Sequence, residues 1–289
     1  MKISEAFQMY RKNEVLAMGK SSSTNDWYII TEKLVIDYFG NINIRRIRVD
    51  DVHNFYLWML KGRSQNTARE YLCKFRMVLD YFRQIGLAHI GADDIKIPKR
   101  EKKQIRFITY EEFVIFLEEM GRPHRGYSNI NRVRNIVMAK MLFYTGLRIS
   151  ELCALNRDSI QNRQFCIVGK SKDPRPGYIT KDLEQDINHY LAMRTDSCPA
   201  LFICEQTGKR ITKTMVQAIF RRVSEQSGIY SVTPHTLRHS YATRLVEDGV
   251  DIRYVATLLG HQSLETTQKY THIRDARLRQ VYENAMEKY

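Results

Sequence analysis

Between His235 and Ile273 the chain reads HTLRHSYATRLVEDGVDIRYVATLLGHQSLETTQKYTHI, which gathers His235, His239 and His261, Arg238, and Tyr270 near its end. Several chemistries can be weighed against these residue types. The His235-x-x-x-His239 spacing suits a metal on a helix, but Thr occupies position 236 and no carboxylate stands beside the pair. Paired carboxylates for hydrolysis are missing, and so is a Ser or Cys set up as a nucleophile. The upstream segment YTGLRIS carries Arg148 but lacks the GxxxxGK[ST] pattern of a phosphate loop. What remains is a set of guanidinium groups, imidazoles and one phenol. A guanidinium is a planar fork that matches two phosphate oxygens. Two such forks can stabilise pentacoordinate phosphorus by preorganised charge, without a metal. A tyrosine hydroxyl, with a pKa near ~10, can attack once a base or a cation eases its deprotonation.

These groups need elements to position them. Thr233-Pro234 is a helix start, a Thr cap followed by Pro at the first helical position. His235 and Arg238, three apart, share one face near the helix N-terminus, where anions are favoured. Leu237, Tyr241 and Leu245 form the opposite, apolar side, and the helix stops at Gly249. Asp251 caps IRYVATLLG, which ends at Gly260 and leaves His261 just beyond. Ser263 caps a last short helix, LETTQKY, whose end carries Tyr270. Upstream, TYEEFVIFLEEM is a helix capped by Thr109. NRVRNIVMAKMLFYTGLRISEL is a buried helix through Tyr144, a turn at Thr145-Gly146 and a second helix from about Arg148. RQFCIVGKSKDPRPGYIT alternates as two short strands with Lys170 at the hairpin tip, and helices follow at 181–193 and 212–226. The first hundred residues predict four helices, capped by Ser4, by Ser23 or Thr24, by Asp50, and by Ser64 or Asn66. The last three end at Gly40, Gly62 and Gly86. Arg69, Lys74, Arg76 and Arg83 on the fourth can face phosphates or simply solvent. The fold expected is mainly α with a small β-sheet, an α+β chain.

At 289 residues, 43% hydrophobic and 27% charged, the chain suits about two globular domains. A Pro-containing, basic segment with five Lys and Arg between Lys99 and Arg106 divides them. No apolar run of about 18 residues appears, so no membrane partner is expected, and MKISEAFQMYRKNEV does not read as a signal peptide. The five cysteines form no CxxC and are expected as free thiols in the cytoplasm. The net charge of +14 and pI near 9.5 favour a polyanionic partner. Residues 1–106 hold 20 Lys and Arg against 12 Asp and Glu, so both halves are basic.

The ordered series TGLRISEL, IVGK, HTLRHSYAT, LLGH and TTQKYTHI resembles the tyrosine recombinases, the phage-integrase family. The resemblance is closest to the compact Xer-type recombinases and the integrases of mobile elements. It implies a four-helix core-binding, SAM-like DNA-binding domain over residues 1–97 and a basic linker over 98–106. A tyrosine-recombinase catalytic domain, ending in an exchange helix, would occupy 107–289. It implies that Arg148 and Arg238 bind the scissile phosphate and that Lys170 protonates the 5′-oxygen leaving group. His235 would assist proton transfer with the nucleophile, and His261 would contact the phosphate. Tyr270 would be the nucleophile that forms a 3′-phosphotyrosine bond, and Glu151 an acidic helper that keeps the site in order. Lys172 is a rival to Lys170. The turn departs from the basic turn of relatives in carrying Asp173-Pro174.

The activity so implied is site-specific DNA recombination through a phosphotyrosine and a Holliday junction. It needs no cofactor and no metal, because the covalent link stores the bond energy. The partners would be double-stranded DNA with paired half-sites and other protomers, four on two duplexes, closing on DNA as a clamp and exchanging C-terminal helices. The tail RDARLRQVYENAMEKY has the apolar spacing for this at Ala276, Leu278, Val281, Tyr282, Ala285 and Met286. With no further arm domain ahead of the helical half, a simpler system is expected, whether chromosome-dimer resolution or integration and excision of a mobile element. Alternatives are DNA relaxation of the type IB topoisomerase kind, a non-catalytic DNA-binding regulator on the same scaffold, and a metal-dependent nuclease that a chelator would silence.

Overall fold

In a computed structural model, residues 1–101, 106–124, 126, 128–168 and 174–260 are described. The chain divides into two compact units, Met1–Lys103 and Gln104–Tyr289.

The first unit contains four α-helices: α1 (Ile3–Tyr10), which runs on into a π-helical turn, α2 (Ser22–Phe39), α3 (Val49–Leu60) and α4 (Gln65–Gln84). Phe7, Tyr28, Val35, Phe55, Met59, Phe75 and Phe82 meet in a core of their own. All four expected helices form, the first three with shifted starts. Ser4 lies inside α1, where its N–H donates to Asn41 Oδ1 (3.0 Å), and the cap falls at Lys2, whose N–H donates to Glu5. Likewise α3 begins after Arg48, whose N–H donates to Asp51 (2.9 Å), rather than at Asp50. In both places a carboxylate three residues on accepts the first orphan N–H, so no Ser or Asp is needed at the cap itself. The α2 cap is Ser21, and Ser64 caps α4 as expected.

The basic residues of α4 are engaged within their own unit. Arg69 Nε donates to Pro98 O (2.9 Å), Arg76 Nη1 to Ile95 O (3.5 Å) and Arg83 Nη1 to Asp94 (3.1 Å). Lys74 Nζ stands 5.4 Å from the centre of the Tyr28 ring. Together with a two-way hydrogen bond between Asn66 and the Glu101 backbone, these bonds lay the segment up to residue 101 along α4.

The second unit begins with α5 (Tyr110–Gly121) behind a reciprocal Thr109–Glu112 cap, followed by α6 (Asn129–Thr145) and α7 (Ile149–Ala154). An antiparallel sheet follows in the order β1 (Ile160–Gln161), β2 (Gln164–Val168), β3 (Pro174–Tyr178). The remaining helices are α8 (Lys181–Ala192), α9 (Lys213–Ser227), α10 (Pro234–Glu247) and α11 (Ile252–Leu259). The mainly helical fold with a small sheet is as the sequence predicts; the two-residue β1 is an addition. α6 is buried nearly all round, and Phe143 stacks on Phe113 with ring centres 3.7 Å apart. Phe116, Leu152, Phe202, Phe220 and Leu237 complete that core, while Ala242, Val246, Val255 and Leu259 join α10 to α11 in a smaller one. The five cysteines are unpaired thiols. Among the described residues no helix is long and apolar enough to cross a membrane.

Candidate active site

Two helix junctions converge at one place. At the first, α6 ends on Gly146, whose φ of +64° is the left-handed conformation that glycine adopts without strain. A Cβ there would also lie 2.4 Å from the Tyr241 ring. Arg148, two residues on, is the N-cap of α7. Its N–H donates to Glu151 Oε2 (2.7 Å) and its Nη1 to Glu151 Oε1 (2.8 Å), so one carboxylate fixes both its backbone and its side chain. At the second junction, α11 ends on Gly260, with φ of +62°.

The last carbonyls of α11 are orphan acceptors at the negative end of a helix. Three guanidinium groups take them. Arg238 Nη2 donates to Leu259 O (2.5 Å), Arg148 Nη2 to Gly260 O (2.9 Å), and Arg175 Nη1 to Leu258 O. Arg238, from the first turns of α10, also donates through Nη1 to Gly146 O (2.5 Å), which ties the two junctions together. Both Arg238 and Arg175 are buried, while the Arg148 side chain stays about one-third exposed. The carboxylate of Glu151 pairs with two of these cations, Arg148 and Arg175, and with Arg238 beside them the cluster has an excess of positive charge suited to an anion. Only two of the five N–H donors of Arg148 are used by these bonds among the described residues.

His235, at the start of α10, presents its ring to solvent beside a cavity of about 670 Å³ also bordered by Ile149 and, from α9, Thr214, Gln217 and Arg221. Partial desolvation by the protein behind it, then the charges of Arg238 and Arg148, draw its pKa below the ordinary histidine value. The imidazole is therefore neutral at neutral pH and able to accept a proton. Burial raises the pKa of Tyr241, against the pull of Arg175, Arg244 and Arg238, which makes it a poor nucleophile. Tyr254 sits exposed on α11.

Of the site residues expected from sequence, Arg148, Glu151, His235 and Arg238 come together here. Lys170, its rival Lys172, His261, Tyr270 and the apolar tail after it lie outside the described residues. Arg175 was not singled out in the sequence. Its one local signal is a charged residue wedged between Pro174 and Pro176 at an alternating, inward strand position.

Residues 107–277 match the phage integrase family. Tyrosine recombinase XerA of Pyrococcus furiosus is 35% identical over 196 residues, covering 66% of this chain and 65% of that protein. Tyrosine recombinase XerD of Oceanobacillus iheyensis is 33% identical over 200 residues, with the same coverage. The chain thus spans just under two thirds of the length of these curated relatives. Among solved structures, the XerH site-specific recombinase bound to palindromic difH substrate, a post-cleavage complex, has a TM-score of 0.73 at 21% identity, over 97% of this chain and 83% of that one. The Tn1549 transposon integrase in complex with transposon right end DNA has a TM-score of 0.78 at 17% identity, over 96% and 99%. At such identities the structures speak for the fold, and the family match carries the assignment: this chain belongs to the phage integrase family.

Proposed function

We propose that the chain is a site-specific DNA recombinase that breaks and rejoins strands by transesterification. The carrying observation is the convergence of Arg148 and Arg238 at the end of α11, the helix that leads in sequence to His261 and Tyr270. In this reading the two guanidiniums, with His261, hold the non-bridging oxygens of the scissile phosphate. The Tyr270 hydroxyl attacks phosphorus and gives up its proton with the help of neutral His235. The P–O5′ bond breaks, and the leaving oxygen takes a proton from Lys170. A 5′-hydroxyl of a second duplex then attacks the 3′-phosphotyrosine and restores the phenol. Each step exchanges one phosphoester bond for another, so neither ATP nor a metal enters the balance. Glu151 keeps Arg148 in place.

Double-stranded DNA is the partner we assign, in accord with the DNA-bound relatives XerH and Tn1549 integrase. Residues 1–97 would be the core-binding domain, 98–106 the linker and 107–289 the catalytic domain. The active form would be four protomers on two duplexes, passing through a Holliday junction and linked by the C-terminal helices, in the cytoplasm. The test is Tyr270→Phe on a nicked suicide substrate that traps the covalent adduct. Unaltered protein should accumulate the adduct, and the variant should bind the same DNA with none. An adduct formed by the variant would place the nucleophile elsewhere.

A further inference from the structure

Arg175 is a buried cation, 7% exposed, on the strand that leaves the hairpin tip. A buried charge persists only with partners, and those of Arg175 come from two other elements. Its Nη2 donates to Glu151 Oε2 (2.7 Å), while Arg148 Nη1 takes Glu151 Oε1 (2.8 Å). The carboxylate is thus a bridge between two guanidiniums. Its Nη1 takes the carbonyl of Leu258, one of the last in α11. Its Cδ and Nε run directly beneath Gly260, where a Cβ would fall 2.6 Å from Nε and 2.7 Å from Cδ. The room for this side chain therefore depends on glycine at the residue just before His261.

We infer that Arg175 is a positioning residue of the active site, fixing through Glu151 the angle at which Arg148 meets the phosphate and anchoring the end of α11. The inference rests on the recombinase reading above. Arg175 does not touch DNA; its effect reaches the reaction through Arg148. A guanidinium is suited to this, because its planar fork serves two acceptors in fixed directions, whereas an ammonium is a point charge.

The consequence is testable with two substrates. In one the scissile linkage is the ordinary charged phosphodiester. In the other a methyl replaces one non-bridging oxygen, so the linkage is neutral and has less need of a positioned guanidinium. Adduct formation is timed at saturating DNA. On the phosphodiester, Arg175→Ala should be slowed about 10²-fold with half-site binding unchanged, the scale of a misplaced reacting group. On the neutral linkage the gap from unaltered protein should close to a few-fold. Arg175→Lys, which keeps the charge opposite Glu151 and so guards against loss of folding, should be slowed on the phosphodiester and spared on the neutral linkage in the same way. Equal slowing on both linkages would reduce Arg175 to a packing residue, and an unslowed Arg175→Ala on the phosphodiester would remove it from the reaction. If unaltered protein forms no adduct through Tyr270, the recombinase reading itself fails, a result separate from either of these.

Discussion

At the residue scale, the recombinase reading turns on which groups are charged before DNA arrives. Guanidinium groups keep their charge throughout the working range, whereas the charge of an imidazole such as that of His235 can change there. Its pKa is depressed by desolvation and by the cations Arg238 and Arg148. The expected acid limb of kcat/KM for cleavage, which reports the protein before DNA binds, therefore has its midpoint below the ordinary histidine value of ~6.5. His235→Gln should lose that limb and fall by about 10²-fold or more, the scale of general acid–base catalysis. A pH–rate profile on a nicked substrate checks both, and a midpoint at or above ~6.5 in unaltered protein would contradict the geometry. The sign for stability follows. Below ~6.5 the unfolded chain takes up a proton that folded His235 refuses. Folding is therefore weakened as pH falls from ~6.5 toward the folded pKa, with no effect of this group above that window.

Elements show where sequence alone suffices and where it does not. Thr109, Ser64 and Thr233 cap their helices as their spacing implies, because a cap hydrogen bond reaches only three residues. Lys2 and Arg48 escape that logic, since the carboxylates of Glu5 and Asp51 supply the acceptor instead. Arg148 and Arg238 stand out in sequence through their motifs. Arg175 does not, because its partners lie 24 and 83 residues away and nothing local announces them. The hairpin that carries it is also tightly specified. Phe165 on β2 pairs with Gly177 on β3, and the Phe165 ring covers the glycine so closely that a Cβ would lie 2.4 to 2.8 Å from three ring carbons. Gly177→Ala must therefore push a buried ring out of its place in the main core. The expected loss is about 1–3 kcal/mol. Adding Phe165→Leu should cost less in the Gly177→Ala background than alone. Urea unfolding of the four proteins measures this, and strictly additive losses would show that the ring and the glycine are not coupled.

At the scale of the whole molecule, positive charge is spread over both units, with 20 Lys and Arg against 12 Asp and Glu in residues 1–106 alone. Arg69, Arg76 and Arg83 are spent on the chain that runs along α4. Lys20, Arg46, Lys61 and Lys99 are exposed. Only cations that reach phosphates release counterions, and each such contact steepens the fall of log K with log salt by about 0.9. The first unit has its own core, in which Phe7, Phe55 and Phe75 are buried, so residues 1–106 are expected to fold and bind DNA alone. Their binding should be weaker than that of the full chain, with a smaller salt slope. Replacing Lys20, Arg46, Lys61 and Lys99 together by Gln should cut the slope of the fragment further, in proportion to how many of them meet phosphate. Replacing Arg83, held by Asp94, should leave the slope unchanged. Titration of labelled duplex at several salt concentrations gives all these slopes. If the fragment folds, by circular dichroism, yet shows no salt-dependent binding, its charge serves solubility, and the grip on DNA belongs to the second unit.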